Sequence, residues 1–137
     1  MRLVTSDVHR GLKGVIEAVL VGASWQRCRV HFMRNALSLV PKAAQQMVRA
    51  TIRTVFAQPD AASAREQWLR IADGFRSRFA RLTGLMEEAE EEVLGYASFP
   101  QEHWQKIWSN NPLERVNKEV KRRTRAWLAY SRTRRWW

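Results

Sequence analysis

The sequence predicts an α/β protein that is mostly helical, and three patterns carry this prediction. Residues 2–5 (RLVT) form a short run rich in apolar and β-branched residues, as a buried strand does. The segment that follows, HRGLKGVIEAVLVG, repeats its apolar residues at helical spacing. Helical spacing then dominates from about Asn35 to Trp108. A strand and a helix therefore open the chain, and a bundle of helices comes later.

The composition points to a nucleic-acid partner. The chain has 137 residues, a net charge of +11 and an isoelectric point near 11.2, and so strong a positive charge attracts polyanions. A membrane partner is disfavoured because the sequence has no basic amphipathic anchor and no run of about 18 apolar residues. We therefore expect a cytoplasmic protein. The single cysteine, Cys28, excludes an internal disulfide and a thiolate zinc site.

The remaining elements follow in order along the chain. Alternation in WQRCRV, residues 25–30, favours a second strand. An apolar stripe over residues 44–56 predicts a helix, and Asp60 is suited to cap the next one. That next helix has an apolar seam of nearly heptad spacing over residues 64–82, and a third helix is predicted over residues 85–94.

The most basic part of the chain is WSNNPLERVNKEVKRRTR, residues 108–125. Asn111 can cap a helix and Pro112 suits its first position, so a helix is predicted from there to about Arg125. Cations on such a helix can bind the phosphates of DNA without reading the base sequence. The candidate DNA-binding residues are Arg115, Lys118, Lys121, Arg122, Arg123 and Arg125.

Glu114 stands at the head of this basic helix, and two interpretations of it remain open. Residues three and four apart share a helix face, so Glu114 lies on one face with Asn117, Lys118 and Lys121. A carboxylate in that position can hold a divalent ion beside a DNA phosphate. It can equally close a capping-box-like turn with Asn111 and favour the positive end of the helix dipole.

Four other residues could carry chemistry or serve the fold. Asp7 follows the first strand, where α/β sheets present their ligands, so it can bind Mg²⁺ or cap the next helix. Cys28 and His31 form a C-x2-H pair that lacks two more ligands for a zinc site. His31 is as well explained by a hydrogen bond at a strand end. Glu119 is predicted to form solvated ion pairs with the arginines three and four residues after it.

Three motifs, taken together and in this order, resemble the mutator-type transposases of bacterial insertion sequences. They are SDVHRGL at residues 6–12, WQRCRVHFMRN at 25–35 and SNNPLERVNKEVKRRTR at 109–125. The resemblance implies DNA transposition by metal-dependent cleavage and transfer of strands. It also implies an RNase H-like core with three carboxylates, interrupted by an all-helical insertion before the last of them. The expected fold is thus a partial RNase H-like core with that insertion.

The resemblance assigns roles to the residues at matching positions. Asp7 becomes the second of the three catalytic, metal-binding acids and Glu114 the third, with Cys28 and His31 as the signature pair beside the site. Lys121 matches a downstream cation near the substrate DNA. The implied cofactors are two Mg²⁺ or Mn²⁺ ions. The implied partner is DNA, both at the ends of the insertion element and at the target, and no membrane partner is implied. The intact protein is expected to act as a homo-oligomer at the nucleoid.

The same resemblance divides the chain into four segments. Residues 1–34 supply the C-terminal part of the RNase H-like core as strand, helix and strand. Residues 35–107 form the all-helical insertion, and residues 108–125 form the catalytic helix that faces DNA. Residues 126–137 depart from the family, which continues there with a stretch like VVGIFPNEAV.

Two departures from the family predict a truncated and inactive copy. The family's first aspartate lies well upstream of the motif at residues 6–12, whereas only six residues precede Asp7. Residues 126–137 can be back-translated so that a shift of two nucleotides yields VVGIFPNEAVV, which predicts a frameshift after Arg125. The alternative is a non-catalytic basic helical protein that binds nucleic acid through the cations of residues 115–135, independently of the two acids.

Overall fold

The computed structural model describes the backbone of residues 2–133 and the side chains of these residues except Arg10 and 126–133. The elements are the strands β1 (Leu3–Ser6) and β2 (Ser24–Arg27) and the helices α1 (Arg10–Val19), α2 (Arg29–Ser38), α3 (Lys42–Phe56), α4 (Ala61–Phe75), α5 (Ala80–Leu94), α6 (Trp104–Ile107) and α7 (Asn111–Thr133). Two short 3-10 helices, Gly95–Ser98 and Gln101–His103, link α5 to α6. The α/β fold class with an excess of helix is confirmed, and the RNase H-like core stays a prediction.

The two strands form a parallel sheet, and α1 is the crossover between them. The register places Ser6 opposite Arg27, so both strands end at the same edge. The residues that come next on the two strands, Asp7 and Cys28, lie at this carboxyl edge. Parallel sheets present their ligands there because the chain leaves the sheet and turns at that edge.

The second strand is shorter than predicted. The strand predicted over residues 25–30 is wrong from Cys28 onward, because α2 begins at Arg29. The Phe32 amide donates to the Cys28 carbonyl at 2.9 Å, which starts the helix. Helical spacing then buries Phe32 completely in the core. Burial of such a side chain contributes about 1.5–3 kcal/mol, more than a weak alternation of residue types can offset.

The hydrophobic core lies among α2, α3, α4 and α5 and continues to the 3-10 helices and α6. Trp68 of α4 is fully buried, with its ring centroid 5.2 Å from that of Phe32. Its indole N–H donates to the Met86 carbonyl at 3.1 Å. Trp108 extends the core toward α7, because its ring meets that of Tyr96 edge to face at 5.6 Å. The predicted apolar residues therefore share one core, but the single helix predicted over residues 64–82 is wrong beyond Phe75, because α4 ends there and Leu82 lies on α5.

The last helix is longer than predicted. It runs from Asn111 to Thr133 rather than to about Arg125. The side chains of residues 126–133 and the whole of residues 134–137 lie outside the described part of the chain, so the predicted frameshift stays a prediction. Within residues 2–133, no helix combines the length and the apolar content that a membrane span requires.

Asp60 caps α4, as the sequence predicts. One carboxylate oxygen accepts a hydrogen bond from the Ser63 amide at 2.8 Å and the other accepts one from the Ser63 hydroxyl at 2.9 Å. Both hydrogen bonds hold the pKa of Asp60 below its ordinary value, and the one from the Ser63 amide has the larger effect. The cap satisfies a helix N–H that would otherwise have no partner within the helix.

Replacing Asp60 by alanine is expected to destabilise the protein at neutral pH, with the difference vanishing in acid. The native pKa lies below the unfolded one, so the ionised cap stabilises the fold above the ordinary aspartate pKa of about 3.9. This contribution is lost as the pH falls through the native pKa. Thermal melting of both proteins across this pH range measures it. Asp73→Ala on the same helix is the control, and an equal effect of the two changes would contradict the capping role.

Candidate active site

Asp7 is exposed at the carboxyl edge of the sheet. Its Oδ1 accepts a hydrogen bond from the Val8 amide at 2.7 Å. The residue at the N-cap of α1 is His9, so the capping interpretation of Asp7 is wrong. The pKa of Arg27 is lowered by burial, and this lowering is opposed by the negative charges of Glu92 and Asp7. The charge of Asp7 therefore acts on the buried guanidinium at the end of β2.

Cys28 is fully buried and joins the sheet edge to the segment before α7. Its amide donates to the Ser6 carbonyl at 2.7 Å. Its Sγ lies 3.8 Å from the Ser109 hydroxyl oxygen, a weak thiol hydrogen bond. Next to this contact, the Arg29 amide donates to the Trp108 carbonyl at 3.1 Å. Cys28 thus occupies a position where a larger side chain would push the sheet and α7 apart.

His31 and Glu114 are in contact although they are 83 residues apart in the sequence. The His31 Nε2 lies 3.3 Å from the Glu114 Oε1. His31 is in the first turn of α2 and Glu114 in the first turn of α7. The imidazole is nearly buried, whereas the carboxylate is partly exposed. His31 is therefore placed to hold one oxygen of Glu114. The two residues form one unit at the meeting point of α2 and α7.

The start of α7 is held by a residue that the sequence interpretation missed. The Ser109 hydroxyl accepts a hydrogen bond from the Asn111 amide at 3.1 Å. The Glu114 amide donates to the Asn110 carbonyl at 3.1 Å, so the cap lies at Asn110, one residue earlier than predicted. A serine often accepts a hydrogen bond from the amide two residues after it in such a turn, and Ser109 could have indicated this role.

The cations of α7 fall into two groups. Glu119 accepts hydrogen bonds from Arg122 at 2.7 and 2.9 Å and from Arg123 at 2.9 Å, which confirms its predicted ion-pairing role. The hydrogen bonds from Arg122 and then Arg123 lower the pKa of Glu119. Within the described part of the chain, the other predicted cations have no carboxylate within 4.0 Å; they are Arg115, Lys118, Lys121 and Arg125. All are exposed.

The structure brings the predicted acids to one region without placing them in a shared metal cage. Asp7 lies on the sheet edge, and the contact of Cys28 with Ser109 links that edge to the helix that carries Glu114. Among the described side chains, no three His, Cys, Asp or Glu lie close enough to hold a metal ion together. Around Asp7 and around Glu114, the described residues therefore supply fewer than three ligands for a shared metal ion.

Residues 1–133 match the family described as Transposase, Mutator family. The chain belongs to the Mutator family of transposases. The resemblance inferred from the three sequence motifs is thus confirmed. The match extends from β1, which Asp7 follows, to the end of α7, and so includes every residue of the candidate site.

Several transposases of insertion sequences are similar to this Mutator-family chain. The transposase for element IS1081 of Mycobacterium tuberculosis is 41% identical over 122 residues, which is 89% of this chain and 29% of that protein. The transposase for element ISRM5 of Rhizobium meliloti is 36% identical over 90% of this chain and 31% of that protein. The transposase for IS256 in transposon Tn4001 of Staphylococcus aureus is 32% identical over 88% and 31%. The chain spans about three tenths of the length of these relatives.

Proposed function

We propose that this Mutator-family chain forms part of the DNA-cleavage centre of an insertion-sequence transposase, with Asp7 and Glu114 as ligands of the catalytic metal. The observation that supports this most directly is the contact between His31 and Glu114 at 3.3 Å. A nearly buried histidine that orients an exposed carboxylate is the arrangement expected of a metal ligand with a supporting partner. The carboxyl edge of a parallel sheet, where Asp7 lies, is a common place for such a site.

The donor atoms present suit Mg²⁺ or Mn²⁺. Both ions prefer hard oxygen ligands, and Mg²⁺ is usually bound by one or two carboxylates together with waters and substrate phosphates. Asp7 and Glu114 supply carboxylates of this kind, and among the described residues no third His, Cys, Asp or Glu joins them to form a cluster. The chemistry that such ions supply is activation of an attacking hydroxyl and stabilisation of the leaving oxygen of a phosphodiester.

The neighbouring residues of the chain perform the binding and positioning steps of the proposed reaction. The His31 Nε2 contacts one oxygen of Glu114, whose side chain stays partly exposed and therefore accessible to a metal ion. Lys118 and Lys121 lie one turn and two turns beyond Glu114 on the same helix. Their exposed ammonium groups can hold the phosphates that flank the reacting one. DNA is therefore the proposed partner, and assembly into a homo-oligomer is proposed with it.

The first test is a titration with Mn²⁺ in the presence of duplex DNA, followed by the electron paramagnetic resonance signal of free Mn²⁺. Glu114→Gln and Asp7→Asn are each expected to weaken binding at least about tenfold, since each removes the charge of one ligand. Glu119→Gln is the matched control, because it removes one negative charge from the same helix without touching the candidate site.

The alternative function, non-catalytic binding of nucleic acid, makes the opposite prediction for the acids. It is supported by the four exposed cations of α7 that lack a carboxylate partner among the described residues. If Glu114→Gln and Glu119→Gln bind Mn²⁺ equally well, and Lys118→Gln with Lys121→Gln still weakens DNA binding, the metal-ligand proposal is wrong and this alternative stands.

A further inference from the structure

A groove of about 800 Å³ lies between α2 and α3. Its floor is apolar and includes Met33, Leu37 and Phe56. Four of the residues that line it are arginines, and we call it the arginine groove; they are Arg29, Arg34, Arg49 and Arg53. Pockets of 300–1,000 Å³ with an apolar lining and a few polar groups are the usual size and make-up of ligand sites.

The charge of the arginine groove is unbalanced. No acidic side chain lines it, and none of the ion pairs among the described residues involves its four arginines. Arg53 lies close enough to Arg29 to contribute to the lowering of the Arg29 pKa, after the larger effect of burial. Cations that repel one another in a partly buried groove are stabilised by a bound anion.

Arg29, one of the four arginines of the groove, is held in place by its neighbours. Its guanidinium lies 3.4 Å from the centroid of the Trp108 ring and 5.1 Å from that of the Phe56 ring. Its backbone amide donates to the Trp108 carbonyl at 3.1 Å. The planar cation is thus fixed by two aromatic rings and a backbone hydrogen bond, so little entropy is lost when an anion binds to it.

The combination of an apolar floor and an arginine rim selects among nucleic-acid ligands. A duplex presents phosphates outward and keeps its bases stacked inside, so it could contact the rim but would leave the floor empty. An unpaired nucleotide offers both parts, a base face for Phe56 and Met33 and a phosphate for the arginines. We propose that the arginine groove binds an unpaired nucleotide of single-stranded DNA.

The position of the groove connects it to the candidate active site. Arg34 is one turn after His31 on α2, and His31 contacts Glu114. A single strand in the groove would therefore lie against the helix that also carries His31, the partner of the carboxylate proposed to bind the metal. This relation to the candidate active site rests on the proposed function, whereas binding of the strand rests on the groove alone.

The test is a fluorescence-anisotropy titration of the 137-residue chain with a labelled oligothymidine and, separately, with a labelled DNA hairpin duplex. Arg49→Gln combined with Arg53→Gln is expected to weaken single-strand binding about tenfold and duplex binding at most about twofold. Phe56→Leu removes both an aromatic face for the base and one of the two rings that hold Arg29, without a change of charge, and it is expected to weaken single-strand binding alone. Arg78→Gln with Arg81→Gln is the control, since it removes the same charge from exposed positions outside the groove.

The outcomes separate this proposal from a general effect of charge. The proposal is overturned if the Arg49→Gln and Arg53→Gln double variant and the Arg78→Gln and Arg81→Gln double variant lose single-strand binding equally. It is also overturned if the first of these loses single-strand and duplex binding equally. Thermal melting of each variant shows whether the fold is intact. The Mn²⁺ titration uses other variants and another readout, so a failure of the metal site and a failure of the groove are distinguishable.

Discussion

Replacing Trp68 by alanine is expected to lower the free energy of unfolding by about 3–5 kcal/mol, more than a hundredfold in the unfolding equilibrium. The side chain is 0% exposed. Its ring packs against Phe32 and its indole N–H donates to the Met86 carbonyl, so one residue connects α4 with α2 and α5. Alanine would leave a cavity among three helices that are fixed by their other contacts and cannot collapse into it.

Urea denaturation followed by far-ultraviolet circular dichroism measures the effect of Trp68→Ala. Leu69→Ala is the matched control, because Leu69 is the next residue on α4 but is 51% exposed. That control is expected to change the free energy of unfolding by about 0.5 kcal/mol or less. Similar losses for the two variants would show that α4 does not pack through the face that carries Trp68.

Replacing Glu92 by glutamine is expected to cost about 2–3 kcal/mol, although the side chain keeps its shape. The Glu92 Oε1 lies 2.9 Å from the Lys13 Nζ, and its Oε2 lies 3.9 Å from the Arg27 Nη1. Arg27 is only 7% exposed, and burial already lowers the pKa of its guanidinium. Loss of the carboxylate charge would leave this buried cation without its principal partner, which is the costly case for a buried ion pair.

Glu91→Gln is the control for Glu92→Gln, since Glu91 is the preceding residue and is exposed. Urea denaturation of the two variants compares the same chemical change at a buried contact and at the surface. A loss of less than about 0.5 kcal/mol in both would show that Glu92 does not join α5 to α1 and β2. If Glu92→Gln lowers the free energy of unfolding as expected, the sheet edge next to Asp7 is also less firmly held. Mn²⁺ binding is then expected to weaken in this variant, because Asp7 is a proposed ligand.

Much of the secondary structure was predictable because its causes are local. The Asp60 cap depends on residues three positions apart, and the ion pairs of Glu119 on residues three and four positions apart. The strand predicted over residues 25–30 failed at Cys28 for a different reason. There the local alternation was weak, and burial of Phe32 against residues far along the chain decided in favour of helix.

In the candidate site, too, the sequence predicts the local features and does not predict the contacts between distant residues. The motifs at residues 6–12, 25–35 and 109–125 identified the family and the candidate residues, because residue types at fixed spacing are visible in the sequence. They could not show that His31 lies against Glu114, or that the Cys28 thiol touches Ser109. Each contact joins residues about eighty positions apart, and only the packing of α2 against the segment before α7 brings them together.

The family, the basic charge, the helical excess and the Asp60 cap are all readable in the sequence, since each follows from composition or from spacing within a few residues. Which charges are buried, such as that of Arg27 beside Glu92, and where arginines gather without a counter-charge, as in the arginine groove, follow only from how the helices and strands pack together. Burial and repulsion depend on distances through space, and these are fixed only when the helices pack.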